Sequence, residues 1–329
     1  IEFLVEAEHD ALLKHAKTTI SSPLYRHVSA SQLRALVAVV KTGSYSTAAR
    51  ELGLAQPTVY RAAKELEAVT GVALFSRASR GIEPSEPAKL LARYVELVFA
   101  EVRQGLEEVR ELKGGTDSRV AIGCLPLMRA EFLPTAITRL MSNFPDARVS
   151  MLDGPYVEQL HALRCGQIDW LIGALRDPPP PKDVVQNRLF EQPLVVVVRP
   201  SHPLTTRGAE PSIRDLACLE WIAPQRLAPA RQMFTALFEK NGIEAPSNII
   251  ECGSLIATCR LVQQSNRAAL LSPLQIRQYV ESAQLTVLVD TLPGTSRPIG
   301  ITMREDWVPT RVQAAFGNVL FDLAREVAI

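Results

Sequence analysis

The side chains best suited to binding chemistry in this chain lie in a short stretch around residue 60. Apolar residues recur there at helical spacing, which predicts a helix that opens at Gln56-Pro57. That apolar stripe consists of Val59, Ala62, Ala63 and Leu66. The residues left on the opposite face and at the N-terminal tip are Gln56, Pro57, Thr58, Tyr60, Arg61 and Lys64. A phenol, a guanidinium and an ammonium group on one exposed face suit contacts with phosphates and with base edges in a DNA major groove.

Two shorter helices are predicted before this one. Their apolar residues recur every three or four positions, and the helices end at Gly43 and Gly53. The two stripes are Leu33, Leu36, Val37 and Val40, then Tyr45, Ala48, Ala49 and Leu52. Either Ser44 or Ser46 is the N-cap of the second helix. A second and a third helix rich in small residues and joined by a tight glycine turn indicate a helix-turn-helix.

A strand and a basic turn are predicted after the third helix. Gly71 ends that helix, and Val72–Phe75 alternates as a strand does. Ser76–Gly81 is then predicted to be a turn that exposes Arg77 and Arg80. We interpret this segment as the wing of a winged helix, because an arginine at a wing tip suits a narrow minor groove.

The stretch QLRALVAVVKTGSYSTAARELGLAQPTVYRAAKELEAVTGVALFSRASRG resembles the DNA-binding domain of LysR-type transcriptional regulators. The residues that carry the resemblance are Ser44, Ala48-Ala49, Leu52, Gln56-Pro57, Leu66-Glu67, Gly71, Leu74-Phe75, Arg77, Arg80 and Gly81. Two features depart from it: Tyr60 stands where the family usually has a small polar residue, and EPSEPAK replaces a threonine and a glycine after the wing. The resemblance implies binding to double-stranded promoter DNA by residues 31–86, preceded by an extension at residues 1–30.

A solvated helix face is the alternative interpretation of these basic residues. Between Ser31 and Ser85 seven Lys and Arg residues oppose four Glu residues, so this segment has an excess of three positive charges. Such an excess is weak evidence by itself, and the order of the motif residues favours the DNA-binding interpretation.

The length and composition predict two or three globular domains. The chain has 329 residues, of which 47% are hydrophobic and 22% are charged, and its net charge is +1. A nearly neutral chain must bind nucleic acid through a local patch. The five cysteines and five histidines show no metal-ligand spacing, so no metal or cofactor is predicted. A redox pair of Cys252 and Cys259 is an alternative to buried free thiols. Without a membrane-length apolar run or a signal peptide, the chain is expected to be cytoplasmic.

Residues 87–113 are predicted to form one long helix with a heptad seam. The seam residues proposed for dimerisation are Leu91, Val95, Val98, Val102, Val109 and Leu112. Packing on the chain's own domain is the alternative, but the narrow stripe favours pairing with a second copy. In the resembling family, the corresponding helix is the dimerisation linker.

Alternating strands and helices beyond residue 118 predict an α/β effector domain with two lobes. The βαβαβ order at its start predicts a parallel sheet, and the lobes are assigned to residues 118–190 with 293–329 and to residues 191–292. YVEQLHALRCGQIDWLIGAL and PLVVVVRPSHPL resemble the periplasmic-binding-protein-like effector domain of the same family. The stretch GALRDPPPPKDVVQNRLFEQPLVVVVRPSHPL is similar to the branch of galactose-binding-protein regulators. The fold class is therefore α plus α/β: a winged helix-turn-helix, a linker helix and a two-lobed effector domain.

An effector is expected at the carboxyl ends of the strands, between the lobes. The residues assigned to it are Leu125, Pro126, Leu127, Met128, Leu175, Arg176, Arg226, Ser254 and Leu255. Ser254 is equally well interpreted as an ordinary N-cap or as part of a carboxylate or phosphate cradle. Arg176 and Arg226 are more often solvated or ion-paired than ligand-binding in such positions. Cys124-Leu125-Pro126 after the first strand favours a fairly apolar effector.

Two other classes of function are alternatives to a regulator. An enzyme is disfavoured because the chain has no GxGxxG, GxxxxGK[ST], HExxH or GxSxG motif. A cytoplasmic protein that only binds a small molecule shares the α/β fold, but it would not need the helix-turn-helix. The resemblance therefore implies a LysR-type regulator that binds promoter DNA and a small-molecule effector as a homodimer or homotetramer.

Overall fold

The computed structural model describes residues 27–79, 81–113, 118–180, 183–207, 210–290 and 292–327. Most of the predicted extension at residues 1–30 therefore lies outside the described residues. The chain divides into two units, Ile1–Val102 and Arg103–Ile329, which are described separately below. Within the described ranges, no helix combines the length and apolar character needed to cross a bilayer.

The first unit is a winged helix whose helices end where their local signals predict. Its elements are α1 (Ala30–Thr42), α2 (Tyr45–Leu52), α3 (Gln56–Thr70), β1 (Phe75–Ala78), β2 (Gly81–Pro84) and the start of α4 (Glu86–Leu112). Ser29 and Gln32 form a reciprocal capping box at the start of α1. Ser44, rather than Ser46, caps α2 by accepting the Thr47 N–H. Gly43, Gly53 and Gly71 end the three helices in the left-handed conformation.

One apolar core holds this unit together. Leu36 and Val39 of α1, Ala48 of α2 and Val59 and Leu66 of α3 are each almost fully buried in it. The alanines on α2 and α3 leave room for the two helices to pack closely. The start of α4 packs on the same core, so the linker helix is anchored to the winged helix at its N-terminal end.

The wing differs from its prediction. The predicted strand Val72–Phe75 and the predicted turn Ser76–Gly81 are wrong, because the strand β1 is Phe75–Ala78 and pairs antiparallel with β2. Its backbone is redirected before Phe75 by Glu67, whose Oε1 accepts the N–H groups of Leu74 and Phe75 at 2.8 and 3.0 Å. A contact between a helix side chain and a backbone segment several residues away cannot be predicted from the alternation of apolar and polar residues along the strand.

The second unit contains two five-stranded sheets with helices on their faces. Its strands are β3 (Arg119–Cys124), β4 (Arg148–Asp153), β5 (Trp170–Ala174), β6 (Val184–Gln192), β7 (Val195–Val198), β8 (Trp221–Ala223), β9 (Ile249–Glu251), β10 (Ala268–Leu271), β11 (Thr286–Val289) and β12 (Arg297–Arg304). Its helices after α4 are α5 (Phe132–Asn143), α6 (Tyr156–Arg164), α7 (Ile213–Ala217), α8 (Pro229–Glu239), α9 (Leu255–Gln264), α10 (Pro273–Glu281) and α11 (Arg311–Val327), with short 3₁₀ turns at Pro126–Met128 and Pro203–Thr206.

The strand orders divide this unit into two lobes. They are β4-β3-β5-β12-β6 in the first lobe and β11-β7-β10-β8-β9 in the second. The parallel sheet predicted for the first lobe is only partly correct: β3, β4 and β5 are parallel, but β12 runs antiparallel to both β5 and β6. β12 lies between β5 and β6, so the strand that returns from the second lobe is inserted within the sheet and β6 forms its edge. β6, β9, α7 and α10 were not predicted.

Aromatic side chains fill the cores of the two lobes. In the first lobe, Trp170 contacts Trp307 and Phe316 edge-on, with ring centres 5.0 and 6.3 Å apart. In the second, Trp221 contacts Phe234 at 5.0 Å, and its indole N–H donates to a buried carbonyl. Edge-to-face aromatic contacts stabilise a core beyond simple area burial. Each lobe therefore has an aromatic core of its own, and Leu274 of α10 in the second lobe also packs into the core of the first.

Candidate DNA interface and ligand site

The polar residues predicted on α3 lie together on one exposed face. The exposed residues are Gln56, Pro57, Thr58, Tyr60, Arg61 and Lys64. The opposite stripe, Val59, Ala62, Ala63 and Leu66, is buried. Helix α3 thus presents its predicted face to solvent, with the N-terminal proline in its first turn.

Tyr60 is exposed but held in place by a neighbouring ring. Its ring lies edge-on to that of Tyr45, with the centres 5.2 Å apart and the planes at 80°. Tyr45 in turn contacts Phe75 at 5.9 Å. The Lys64 ammonium group lies 5.9 Å from the centre of the Tyr60 ring. The Tyr60 ring is therefore supported by aromatic side chains of the winged-helix core.

Lys64 is bound to Glu67, which also fixes the start of the wing. The Lys64 Nζ lies 2.7 Å from Glu67 Oε2. Burial alone would raise the pKa of Glu67, but hydrogen bonds from Lys64 and from the N–H groups of Phe75 and Leu74 outweigh it and lower this pKa. Hydrogen bonding to the same carboxylate raises the pKa of Lys64. Part of the positive charge of Lys64 is thus neutralised within the protein, whereas Arg61 forms no ion pair in the described part of the chain.

The wing places one predicted arginine at the surface. Arg77 is exposed on β1, and Arg80 lies outside the described residues. Gly81, next to the turn, has φ +96°, and a Cβ there would lie 2.6 Å from the Gly43 carbonyl oxygen. The adjacent Ile82 N–H donates to that same carbonyl at 2.8 Å. Only glycine permits this close approach, which fixes the wing against the end of α1.

The predicted dimerisation residues of α4 separate into two groups. Val95 is buried in the winged-helix core, and Leu91 packs against that core. Val98, Val102, Val109 and Leu112 are exposed. Leu90, Tyr94 and Leu106 were not predicted but are exposed as well. The exposed set from Leu90 to Val109 has relative exposures of 43–56%, so it forms an apolar stripe on the helix surface.

The predicted effector residues also differ in their surroundings. Leu125, Leu127 and Met128 are buried in the cores of the first lobe. Pro126, Arg226 and Ser254 are exposed, whereas Leu175, Arg176 and Leu255 are partly buried. The side chains that remain at least partly accessible at the strand ends are thus both polar and apolar. The sequence did not distinguish core residues from accessible ones in these segments, and the effector site itself stays a prediction.

Two of the exposed residues make ordinary surface contacts. The Ser254 Oγ accepts the Ala257 N–H at 3.4 Å and caps α9, which is the N-cap role considered above. Arg226 is 85% exposed, and its Nε lies 3.6 Å from Glu251 Oε2. An exposed pair of this kind contributes little to stability.

Arg176 has a different environment. Its guanidinium carbon lies 3.9 Å from the centre of the Tyr156 ring, and its backbone is held by two hydrogen bonds to the Gln186 side chain at 2.9 and 3.1 Å. Burial lowers the pKa of Arg176. Burial also raises the pKa of Tyr156, although the nearby arginines oppose this. Tyr156 was not predicted, yet it follows a strand end just as Arg176 does, and that signal was available.

The cysteines give no support to a redox site. Cys259 is fully buried, and burial raises the pKa of its thiol to about 11. A thiol that resists ionisation is a poor nucleophile towards peroxide or a disulfide. The described cysteines are free thiols, and Cys252, the other half of the alternative pair, is partly buried.

Comparison with known proteins identifies the family. Residues 30–89 match the family described as "Bacterial regulatory helix-turn-helix protein, lysR family", and residues 113–324 match "LysR substrate binding domain". This chain belongs to the LysR family. It is a LysR-type transcriptional regulator with a DNA-binding helix-turn-helix and an effector-binding domain, which confirms the predicted fold class and function.

Individual relatives of this LysR-type protein agree with that assignment. The chain is 32% identical over 300 residues to the transcriptional regulator GalR of Pseudomonas putida, covering 91% of this chain and 75% of GalR. It is 28% identical to GbpR of Rhizobium radiobacter over 73% of this chain and 80% of GbpR. Both names fit the branch suggested by the sequence. The relatives are regulators, in agreement with the prediction that the chain is not an enzyme.

Solved structures show the same fold. A full-length OxyR variant from Pseudomonas aeruginosa has a TM-score of 0.66 at 19% identity, covering 91% of this chain and 95% of OxyR. Full-length CbnR in complex with its target DNA has a TM-score of 0.62 at 20% identity, covering 88% of this chain and 97% of CbnR.

Proposed function

We propose that this LysR-type regulator contacts promoter DNA with the exposed face of α3 and with the wing. The observation that carries the proposal is the separation of α3 into a buried stripe and an exposed polar face. The contacts fall to Gln56, Pro57, Thr58, Tyr60, Arg61, Lys64, Arg77 and Arg80. Arg61 and Arg77 would contact phosphates or guanine edges, and Tyr60 would supply an aromatic surface within the groove.

Dimerisation is assigned to the exposed stripe of α4. Six large apolar side chains along one helix are unlike the scattered apolar residues of an ordinary surface. The stripe consists of Leu90, Tyr94, Val98, Val102, Leu106 and Val109. A second copy of this helix would bury it by coiled-coil packing. Leu91 and Val95 then act indirectly, by anchoring the helix to the winged helix.

A homotetramer in the cytoplasm is the proposed functional assembly. Strand β4 is an edge strand that exposes Met151 and Leu152, and Val157 is exposed just after it on α6. In the second lobe, Ile256 on α9 is 70% exposed. An exposed apolar edge strand would promote aggregation. We therefore expect a contact between the effector domains of two subunits to bury it.

The effector is proposed to bind at the carboxyl ends of the strands, where Pro126, Leu175, Arg176, Ser254 and Leu255 are accessible or partly so. Binding there would shift the two lobes relative to each other, because each lobe is built on its own five-stranded sheet. Such a shift would change the spacing of the DNA-binding heads in the assembly and hence promoter binding.

The experiment that tests the DNA interface is an in vitro pull-down of genomic DNA fragments. The unmodified protein is compared with Arg61→Ala, Lys64→Ala and Arg34→Ala, an exposed arginine on α1 that serves as the matched control. We expect a short palindromic site that Arg61→Ala no longer enriches and Arg34→Ala still does. The absence of any enriched site at low salt would contradict the proposal.

Affinity measurements at several salt concentrations sharpen this test. Each phosphate contact removed lowers the slope of log affinity against log salt by about one. Arg61→Ala should show this decrease, and Lys64→Ala should show a smaller one because Glu67 already neutralises Lys64. Sedimentation must show the same oligomer for all variants, since none lies on the stripe of α4.

A further inference from the structure

A guanidinium group and a phenol are stacked at the carboxyl edge of the first lobe's sheet. Tyr156 begins α6, three residues after β4 ends at Asp153, and Arg176 lies two residues after β5 ends at Ala174. Both strands run parallel to β3, so their carboxyl ends lie on one edge of the sheet. The stack, with 3.9 Å between the guanidinium carbon and the ring centre, lies at that edge. Open α/β sheets bind ligands at this edge.

Both side chains contain a buried polar atom that makes no hydrogen bond to the protein. These atoms are Nη1 of Arg176 and the hydroxyl oxygen of Tyr156. In the described part of the chain, no carboxylate forms an ion pair with Arg176, and the Tyr156 ring is the partner of its guanidinium. A buried charged donor without an acceptor destabilises a protein more than a neutral one does. Purely structural arginines are usually bonded to carboxylates or backbone carbonyls instead.

The backbone next to the stack also favours a negatively charged ligand. Helix α6 begins after Pro155, and no side chain caps its N-terminus. The positive end of the helix dipole therefore adds to the charge of Arg176 at this edge, although Glu158 in the first turn of α6 offsets part of it. Gln186 fixes the Arg176 backbone through two hydrogen bonds, so the guanidinium is held in position before any ligand arrives.

We infer that the effector has an anionic group, a carboxylate or a phosphate, that binds against Arg176 and Tyr156. This inference rests on the proposed effector site at the strand ends. The guanidinium and the phenol would both donate to the anion, and a guanidinium matches the geometry of either oxyanion. Tyr156 packs against the small core that contains Leu125 and Leu160.

Anion-dependent stabilisation of the full-length protein tests the inference. Thermal unfolding is followed with benzoate, inorganic phosphate, neutral benzamide or chloride at matched ionic strength. We expect benzoate or phosphate to raise the unfolding temperature of the unmodified protein by about 2 °C or more, and benzamide and chloride to have no such effect. Stabilisation by benzoate alone indicates a carboxylate, and stabilisation by phosphate alone indicates a phosphate ester.

Three variants connect this effect to the stack. Arg176→Met keeps a long apolar stem over the Tyr156 ring but removes the charge, and should lower anion affinity at least about tenfold. Tyr156→Phe keeps the ring and should cause a smaller loss. Arg214→Gln, which removes an exposed arginine on α7, is the matched control and should bind as the unmodified protein does.

The unfolding temperature without added anions shows whether Arg176 serves a ligand or stabilises the fold. If Arg176 serves a ligand, Arg176→Met should unfold at the same or a higher temperature, because it removes a partly buried guanidinium that has no carboxylate partner among the described residues. A large fall in unfolding temperature, an unchanged anion effect in Arg176→Met, or no anion effect in the unmodified protein would each overturn the inference. Promoter binding by Arg176→Met without ligand should be normal, so failure here is distinct from failure of the DNA-binding proposal.

Discussion

Tyr60 is the aromatic residue on the proposed DNA-binding face of α3, where the family usually has a small polar residue. Edge-on packing against Tyr45 orients the ring, so it can act as a rigid apolar surface in the groove. An apolar side chain in the major groove recognises the thymine methyl group. We expect Tyr60→Ser to lose preference at one base position in selection from random DNA, whereas Tyr60→Phe retains it.

The pair of substitutions separates the ring of Tyr60 from its hydroxyl. If Tyr60→Phe loses as much base preference as Tyr60→Ser, the hydroxyl carries the readout, and the role assigned to the ring is wrong. Unfolding of both variants must be compared, because Tyr60→Ser also removes the ring contact with Tyr45. Arg34→Ala again serves as the control for an exposed residue outside α3.

Among the elements, the junction of α3 with the wing depends on one carboxylate. Glu67 Oε1 accepts two backbone N–H groups, and Oε2 accepts from Lys64. Glu67→Gln replaces one acceptor oxygen by a donor, so at least one of these bonds is lost. We expect the free energy of unfolding at pH 7 to fall by about 1–3 kcal/mol, as measured by chemical denaturation.

The pH dependence of stability provides the check on Glu67. Its pKa in the folded protein is lower than the usual value of 4.5. The ionised carboxylate therefore stabilises the fold above that pH, and this stability is lost as the pH falls through the folded-state pKa. Glu67→Gln should lessen the loss of stability as the pH falls below the usual carboxylate pKa of 4.5. An identical acid dependence in both proteins would show that other carboxylates control it.

Elements with local signals were predicted well. The helices α1, α2 and α3 end at glycines and begin at capping residues or a proline, and these signals act within a few residues. The start of the wing was misplaced because a contact from Glu67, eight residues before Phe75, determines it. Strand β6 was missed because it lies at a sheet edge and its residues do not alternate regularly between buried and exposed.

The candidate sites show the same division between local and distant effects. The exposed face of α3 follows from helical periodicity alone, so every described residue predicted there is exposed. On α4, periodicity gave a heptad seam but could not show that Leu91 and Val95 face the winged-helix core. The strand-end rule located Arg176, but its stack on Tyr156 joins residues twenty positions apart, and only the fold brings them together.

For the whole molecule, two separate apolar surfaces predict two separable subunit contacts. The stripe of α4 would join two chains into a dimer, and the edge formed by β4 and α6 would join two dimers. A carboxylate introduced into an apolar contact opposes association because its burial is unfavourable. Val98→Glu with Val102→Glu should therefore disrupt the dimer, and Met151→Glu with Val157→Glu should convert a tetramer into a dimer.

Sedimentation velocity and promoter binding together test this arrangement. The Met151 and Val157 variant should be a dimer that still binds a single palindromic site, since its linker helices are intact. The Val98 and Val102 variant should bind that site much more weakly. In a dimer, binding of one DNA-binding domain raises the effective concentration of the other at the site, and this variant loses that effect. Arg214→Gln, which removes an exposed charge on α7 outside both apolar surfaces, should alter neither property. If the unmodified protein sediments as a dimer that Met151→Glu and Val157→Glu leave unchanged, the second contact does not exist. A different contact would then have to bury the exposed edge of β4.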